Sequence, residues 1–213
     1  MAVRPVFVAI SRPPFYKVVN VEFTFNAGFA PSQKRKNVEA IHRGFKLREP
    51  SCRMLEISTK SCNELGVNLS AFVMKKWVDS LGESVTVENL YHGGKKFSNG
   101  GPYTDLYSVH PRQAKRDPRL VSSGALCSFV YEGREFPRTP VTSFYDWLYI
   151  SALVENKELA RDVVNYDAFT DIEFIPNKSV NCQARATAIY VGMCRAGLVD
   201  KTSEFSFFTD VAA

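Results

Sequence analysis

The chain has 213 residues, 45% of them hydrophobic and 23% charged, with a formal net charge of +5 at pH 7. These values exclude disordered and fibrous classes, and the length suffices to bury a core without disulfide or metal staples. The charge is uneven: residues 1–120 hold 19 Lys and Arg against 10 Asp and Glu, and residues 121–213 hold 8 against 12. A basic portion followed by an acidic one suits a polyanionic partner held beside a carboxylate-bearing site, although an unevenly solvated surface gives the same arithmetic. Five cysteines with no CxxC pair predict reduced, mostly buried thiols and a cytoplasmic protein. No apolar run approaches the ~20 residues of a membrane helix, and no signal-peptide stretch opens the chain, so no membrane association is expected.

Val19, Val21, Phe23 and Phe25 alternate with polar residues, which predicts a half-buried strand, with an earlier one at Val6 to Ala9. Ser32 is placed to cap a helix carrying Val38, Ile41 and Phe45 on one face. That puts Lys34, Arg35 and Lys36 in its first turn, against the macrodipole, where an anion is needed to offset them. Leu55 and Ile57 suggest a short strand, Leu69 to Trp77 a short helix, and Thr86 caps another that stops at Gly93 and Gly94. Residues 95–107 hold Gly100, Gly101 and Pro102 and read as a turn, followed by the basic residues Arg112, Lys115, Arg116 and Arg119.

Phe129, Tyr131 and Phe136 flank Glu132-Gly133, a hairpin signal. Ser143 with Asp146 has the form of a capping box that opens an aromatic helix running to about Leu153. Asp167, Asp171 and Glu173 read as solvated carboxylates, the last long helix runs from near Ser179 to Gly197, and Phe205, Phe207 and Phe208 mark a docking tail. Nothing repeats and no linker divides the chain. The expectation is one helix-rich α+β domain over 1–213, with an N-terminal extension and basic helix in 1–85, a core in 86–198 and a tail in 199–213.

No P-loop, dinucleotide fingerprint, nucleophile elbow or zinc-helix motif is present, and His42, His92 and His110 have no metal-ligand spacing. No metal or cofactor is therefore expected. The turn Asn99-Gly100-Gly101-Pro102-Tyr103-Thr104-Asp105 and the start of the aromatic helix both offer short polar groups framed by rings. Glycines let backbone N–H groups approach a phosphate, and Tyr103, Tyr145 or Trp147 can stack on a base. Core packing is the competing role for Tyr145 and Trp147, and helix capping the competing role for Asp146. Asn181, Gln183 and Arg185 open the last helix, where at most two of them share a pocket.

The segments GGKKFSNGGPYTDLY (93–107), FPRTPVTSFYDWLYISAL (136–153) and NYDAFTDIEF with SVNCQARA (165–186) resemble the NADAR proteins of YbiA-like fold. The resemblance takes in FNAGFAPSQKRKN (25–37) and is nearest to the branch encoded beside DarT-type toxins, which ADP-ribosylate guanine in DNA. It implies an antitoxin that removes ADP-ribose from guanosine bases in DNA, with ADP-ribose as product, a cognate DarT-type toxin as partner and no metal. Related YbiA-like N-glycosidases carry a glutamate in a Pro-Thr-Val-Glu-His-Tyr-Phe segment. Aligned at Pro140, that segment offers Asp146 as its carboxylate and sets Ser143 opposite the glutamate.

Cleavage of a ribosyl C–N bond passes through an oxocarbenium-like state that a carboxylate stabilises, so Asp146 and Asp105 form a candidate pair. A lysine amine capturing the open sugar as a Schiff base is the other route; Lys34 is its first candidate and Lys36 its second, with phosphate or DNA-backbone contact as the competing role of both and Lys36 counted among the substrate contacts. Asn99, Gly100, Gly101, Tyr103, Tyr145, Trp147, Asn181, Gln183 and Arg185 complete the expected substrate site. Two rival functions remain open from sequence: a module that binds ADP-ribose or modified DNA without catalysis, and an N-glycosidase acting on a small ribosylamine.

Overall fold

The computed structural model describes residues 1–28, 30–176 and 179–212; Phe29, Asn177, Lys178 and Ala213, which fall in the segments discussed above, lie outside them. In chain order the elements are β1 (Ala2–Ala9), β2 (Tyr16–Phe23), α1 (Pro31–Lys46), β3 (Met54–Glu56), α2 (Glu64–Asn68), β4 (Lys75–Val78), β5 (Glu83–Thr86), α3 (Val87–Gly93) and β6 (Lys95–Phe97). They continue with α4 (Pro111–Lys115), α5 (Arg119–Ser122), β7 (Leu126–Tyr131), β8 (Arg134–Pro137), α6 (Ser143–Glu155), α7 (Lys157–Val163), β9 (Ala168–Thr170), α8 (Gln183–Arg195) and α9 (Phe205–Ala212). The fold is α+β. No helix among the described residues is long and apolar enough to cross a membrane.

The chain folds as two compact units that interleave in sequence. The first takes Met1–Ser70 with Lys157–Lys201, the second Ala71–Asn156 with Thr202–Ala213. In the first unit the strand order is β2-β1-β9-β3, with β9 antiparallel to β1 and parallel to β3. Helix α1 lays Val38, Ile41 and Phe45 against Val6, Val8, Val21 and Phe23, the 3.6-residue period of one meeting the two-residue period of the other. In the second unit β6-β7-β8 form an antiparallel sheet and β4-β5 a hairpin. The β7-β8 turn has Glu132 at φ 50° and Gly133 at φ 72°, both left-handed, as a two-residue primed turn requires.

Several sequence expectations need correction. Residues 69–77 do not form a helix: the helical turn is α2, capped by the Asn63 side chain, and Lys75–Val78 is strand β4, whose Lys76 pairs with Glu155. Ser32 is not the cap of α1, which starts at Pro31 with Ala30 as the flanking residue. Ser143 and Asp146 form no capping box, because Thr142 precedes the first turn and the buried Ser143 hydroxyl donates to Phe208 O at 3.1 Å. Helix α8 begins at Gln183, after an extended Cys182, which leaves Asn181 outside it. The thiols are not mostly buried: Cys182 is, Cys52 and Cys194 are partly exposed, and Cys62 and Cys127 are exposed.

Candidate functional site

In the second unit α3 is a short helix whose polar residues face inward. Thr86 caps it through Asn89 N, and the Asn89 amide reaches Leu106 O at 2.6 Å and Val109 O at 2.7 Å, tying α3 to the turn that follows β6. Glu88, 5% exposed, accepts from His92 Nε2 at 3.2 Å and pairs with Lys115 Nζ at 3.1 Å. With Nε2 donating, His92 Nδ1 carries the lone pair and accepts from Lys95 Nζ at 3.1 Å. Lys95 also sits 4.5 Å above the Tyr91 ring, which meets Tyr145 edge-on at 5.2 Å.

Burial pushes Glu88 up, but its hydrogen bond to His92 and the nearby cations outweigh that and hold it below the usual carboxylate range. Burial, aided by the Lys95 and Lys115 charges, lowers His92, so its ring is neutral at pH 7 and Lys115 is the cation that counts for Glu88. Burial takes Lys95 down to about 8, with Glu88 opposing and Lys115 assisting. Hydrogen bonds therefore link an ionised carboxylate, a neutral imidazole and a weakly basic amine in one line.

The glycine turn packs on this lysine. A Cβ at Gly101, which has φ 78°, would come within 2.3 Å of Lys95 O, so the backbone approach that the glycine permits is taken up by the protein's own chain. Tyr103 N bonds Gly93 O at 2.7 Å, its hydroxyl bonds Ser123, and Arg119 stacks 4.4 Å above its ring. Arg119 also pairs with Asp105 at 2.6 Å and with Asp117 at 2.9 Å. Asn99 is exposed, its N–H donating to Ser123 O at 3.0 Å, and Gly100 lies directly behind Tyr103.

Of the other predicted residues in this unit, Asp146 lies on α6, 3% exposed, and Tyr145 joins the Tyr91 rings. Trp147 sits in an aromatic core with Phe136 at 4.8 Å and Phe205 at 6.0 Å.

The first unit gathers a second set of acids. Glu56, 2% exposed, accepts from Ser58 Oγ and Thr170 Oγ1, each at 2.7 Å, and from Ile172 N at 2.8 Å. Burial raises it despite those donors. Burial and the Glu56 charge raise Asp171 well above the carboxylate range, which corrects its reading as a solvated carboxylate. Gln183 bonds Asp171 and donates to Ile57 O at 2.6 Å. His42 bonds Thr170 Oγ1 at 3.0 Å and is lowered to about 4 by burial and by Lys46.

Lys34 is tied to Glu173 through both carboxylate oxygens, at 2.5 and 2.6 Å, which supplies the anion that the first turn of α1 lacks. Lys36 is exposed on the same turn. Asn181 and Arg185 are half-buried around the start of α8.

Sequence reasoning missed Glu88, His92, Lys95 and Lys115 in one unit and Glu56 in the other. A signal for the first set was present: Thr86-Val87-Glu88 repeats the Thr-Val-Glu of the glycosidase segment, with Tyr91 and His92 just beyond. The Pro140 segment matches the proline of that motif, but its carboxylate, Asp146, sits three residues beyond the glutamate position. Glu56 gives no local signal, because a carboxylate in a three-residue strand reads as exposed until the partners of both faces are known.

The family model described as DarT1-associated NADAR antitoxin matches residues 2–213. No curated protein matches the chain.

Proposed function

The chain belongs to the DarT1-associated NADAR antitoxin family, and from that membership we propose that it removes ADP-ribose from guanosine bases in cytoplasmic DNA by cleaving the N-glycosidic bond, so reversing a cognate DarT-type toxin. The hydrogen-bonded line Glu88, His92, Lys95 carries this reading. An amine with a pKa of about 8 is neutral in about one molecule in ten at pH 7, against about one in three thousand for an ordinary lysine. That fraction makes Lys95, rather than the ion-paired Lys34, the candidate nucleophile.

In this scheme the Lys95 amine adds to the sugar carbon that bears the base, and the electron pair of the C–N bond leaves with the base nitrogen. The proton released by the amine passes to His92 Nδ1 and on to the departing nitrogen. Ionised Glu88 stabilises the positive charge that develops at the sugar. The ring C–O bond of this adduct then opens, its electron pair and the remaining amine proton going to the ring oxygen as the nitrogen forms an imine; water hydrolyses the imine, returning the amine and releasing ADP-ribose. Tyr145 packs beside Tyr91, and Asp146 on the same helix is the second carboxylate to test.

The test is release of free ADP-ribose from an oligonucleotide carrying ADP-ribosylated guanosine. Wild-type protein should turn over many equivalents, and Lys95→Met and Glu88→Gln should each slow release at least a hundredfold with the thermal transition retained. Borohydride added during turnover should leave an ADP-ribose adduct on wild type and none on Lys95→Met. Full activity in Lys95→Met, with loss in Lys34→Ala or Asp146→Asn instead, would return the chemistry to the residues first read from sequence.

A further inference from the structure

Two adjoining cavities open on the first unit, of about 560 Å³ and 330 Å³, and His42, Lys46 and Met54 line both. Together they make one trough along α1 and the start of β3. The α1 wall presents Glu39, His42, Arg43 and Lys46, spaced i, i+3, i+4 and i+7 and hence on one helix face. Arg53 stands on the opposite wall, its guanidinium 5.0 Å above the Tyr166 ring.

Arg43, Lys46 and Arg53 are exposed, and none has a carboxylate within ion-pair distance among the described residues. Their neighbours differ: Lys34 is held by Glu173 and Arg195 by Asp167. Three unpaired cations lining two joined cavities, with an Arg-on-Tyr stack in one of them, match what a nucleic-acid strand needs: charge spaced along a backbone and a ring face for a base.

We infer that this trough binds a single strand of DNA, with Arg43, Lys46 and Arg53 on its phosphates and a base stacked at the Arg53–Tyr166 pair. It deepens the proposed function and rests on it for the choice of DNA as the strand. Strand binding in the trough would add affinity and leave the chemistry to the second unit.

The test uses the full chain and an unmodified, fluorescently labelled single-stranded DNA oligonucleotide, read by anisotropy, so that it is independent of hydrolase activity. The double variant Lys46→Gln/Arg53→Gln should weaken binding at least tenfold at low salt. Its plot of log affinity against log salt should be shallower by about 1.4, at about 0.7 per lost phosphate contact. Arg138→Gln, an exposed cation of the second unit, should leave both unchanged. A bromodeoxyuridine strand should photocrosslink to the peptide containing Tyr166, a readout that needs no variant. Binding by the double variant within twofold of wild type, an equal loss in Arg138→Gln, or crosslinks confined to other peptides would each overturn the inference. So would full displacement of the strand by free ADP-ribose, which would make the trough a diphosphate site. Strand binding as described, with no ADP-ribose release from modified DNA, would instead sink the proposed reaction and leave the trough standing.

Discussion

Two buried glutamates show how partners decide what a carboxylate does. Glu88 and Glu56 are both nearly inaccessible, and burial raises both. Glu88 has Lys115 and His92 against it and ends below the usual range, whereas Glu56 has only hydroxyl and amide donors and stays above it. The two lysines differ in their partners. Lys34 has a carboxylate clamp, while Lys95 has a neutral imidazole and an aromatic face and drops to about 8. Between pH 6.5 and 8 Glu88 stays ionised and His92 is mainly neutral, so the reactive neutral form of Lys95 is the one that grows as pH rises. ADP-ribose release under single-turnover conditions should therefore climb with a slope near one on a log scale and level off above pH 8. A flat profile across that window would exclude Lys95 as the nucleophile. None of this was legible from spacing, because Glu88 meets Lys95, seven residues on, and Lys115, twenty-seven residues on, only when helix, strand and turn close on one another.

At the level of elements, most regular structure was legible. The alternation at Val19 to Phe23, the apolar face of α1, the Thr86 cap and the Glu132-Gly133 turn each state a local preference that the fold keeps. The failures lie where contacts outside the segment override it. Lys75–Val78 has helical residues but pairs with Glu83–Thr86, and Ser143 gives its hydroxyl to Phe208 instead of to its own helix. The Phe-rich tail is the clearest case, since a sequence of rings says only that something will cover them. Helix α9 packs on α6, with Phe205 4.9 Å from Phe136 and 6.0 Å from Trp147. Phe205 is 7% exposed, so Phe205→Ala should cost about 3–5 kcal/mol. Chemical denaturation monitored by Trp147 fluorescence reads this directly, and a loss below about 1 kcal/mol would mean that α9 is dispensable to the second unit.

For the whole molecule, charge shows what each level of description decides. Along the chain it runs as an excess of nine cations up to residue 120 and four anions after it. Sorted by folded unit, the first carries 17 Lys and Arg against 11 Asp and Glu, and the second 10 against 11. The basic excess therefore belongs to the unit with α1 and the trough, and the second unit, with Glu88 and Lys95, is close to neutral. Raising salt from 50 to 200 mM should weaken binding of modified oligonucleotide by at least tenfold and binding of free ADP-ribose by much less, as measured by titration calorimetry. Equal sensitivity would mean that the cations serve solubility alone. The sequence by itself determined the α+β class, most strands and helices, and the family, since periodicity, turn chemistry and motif strings are local properties. Only the tertiary structure decided that residues 157–201 join the N-terminal unit, that Glu88, His92 and Lys95 line up, and that Lys34 is already paired. Those outcomes depend on desolvation and on partners distant in sequence, which no window along the chain contains.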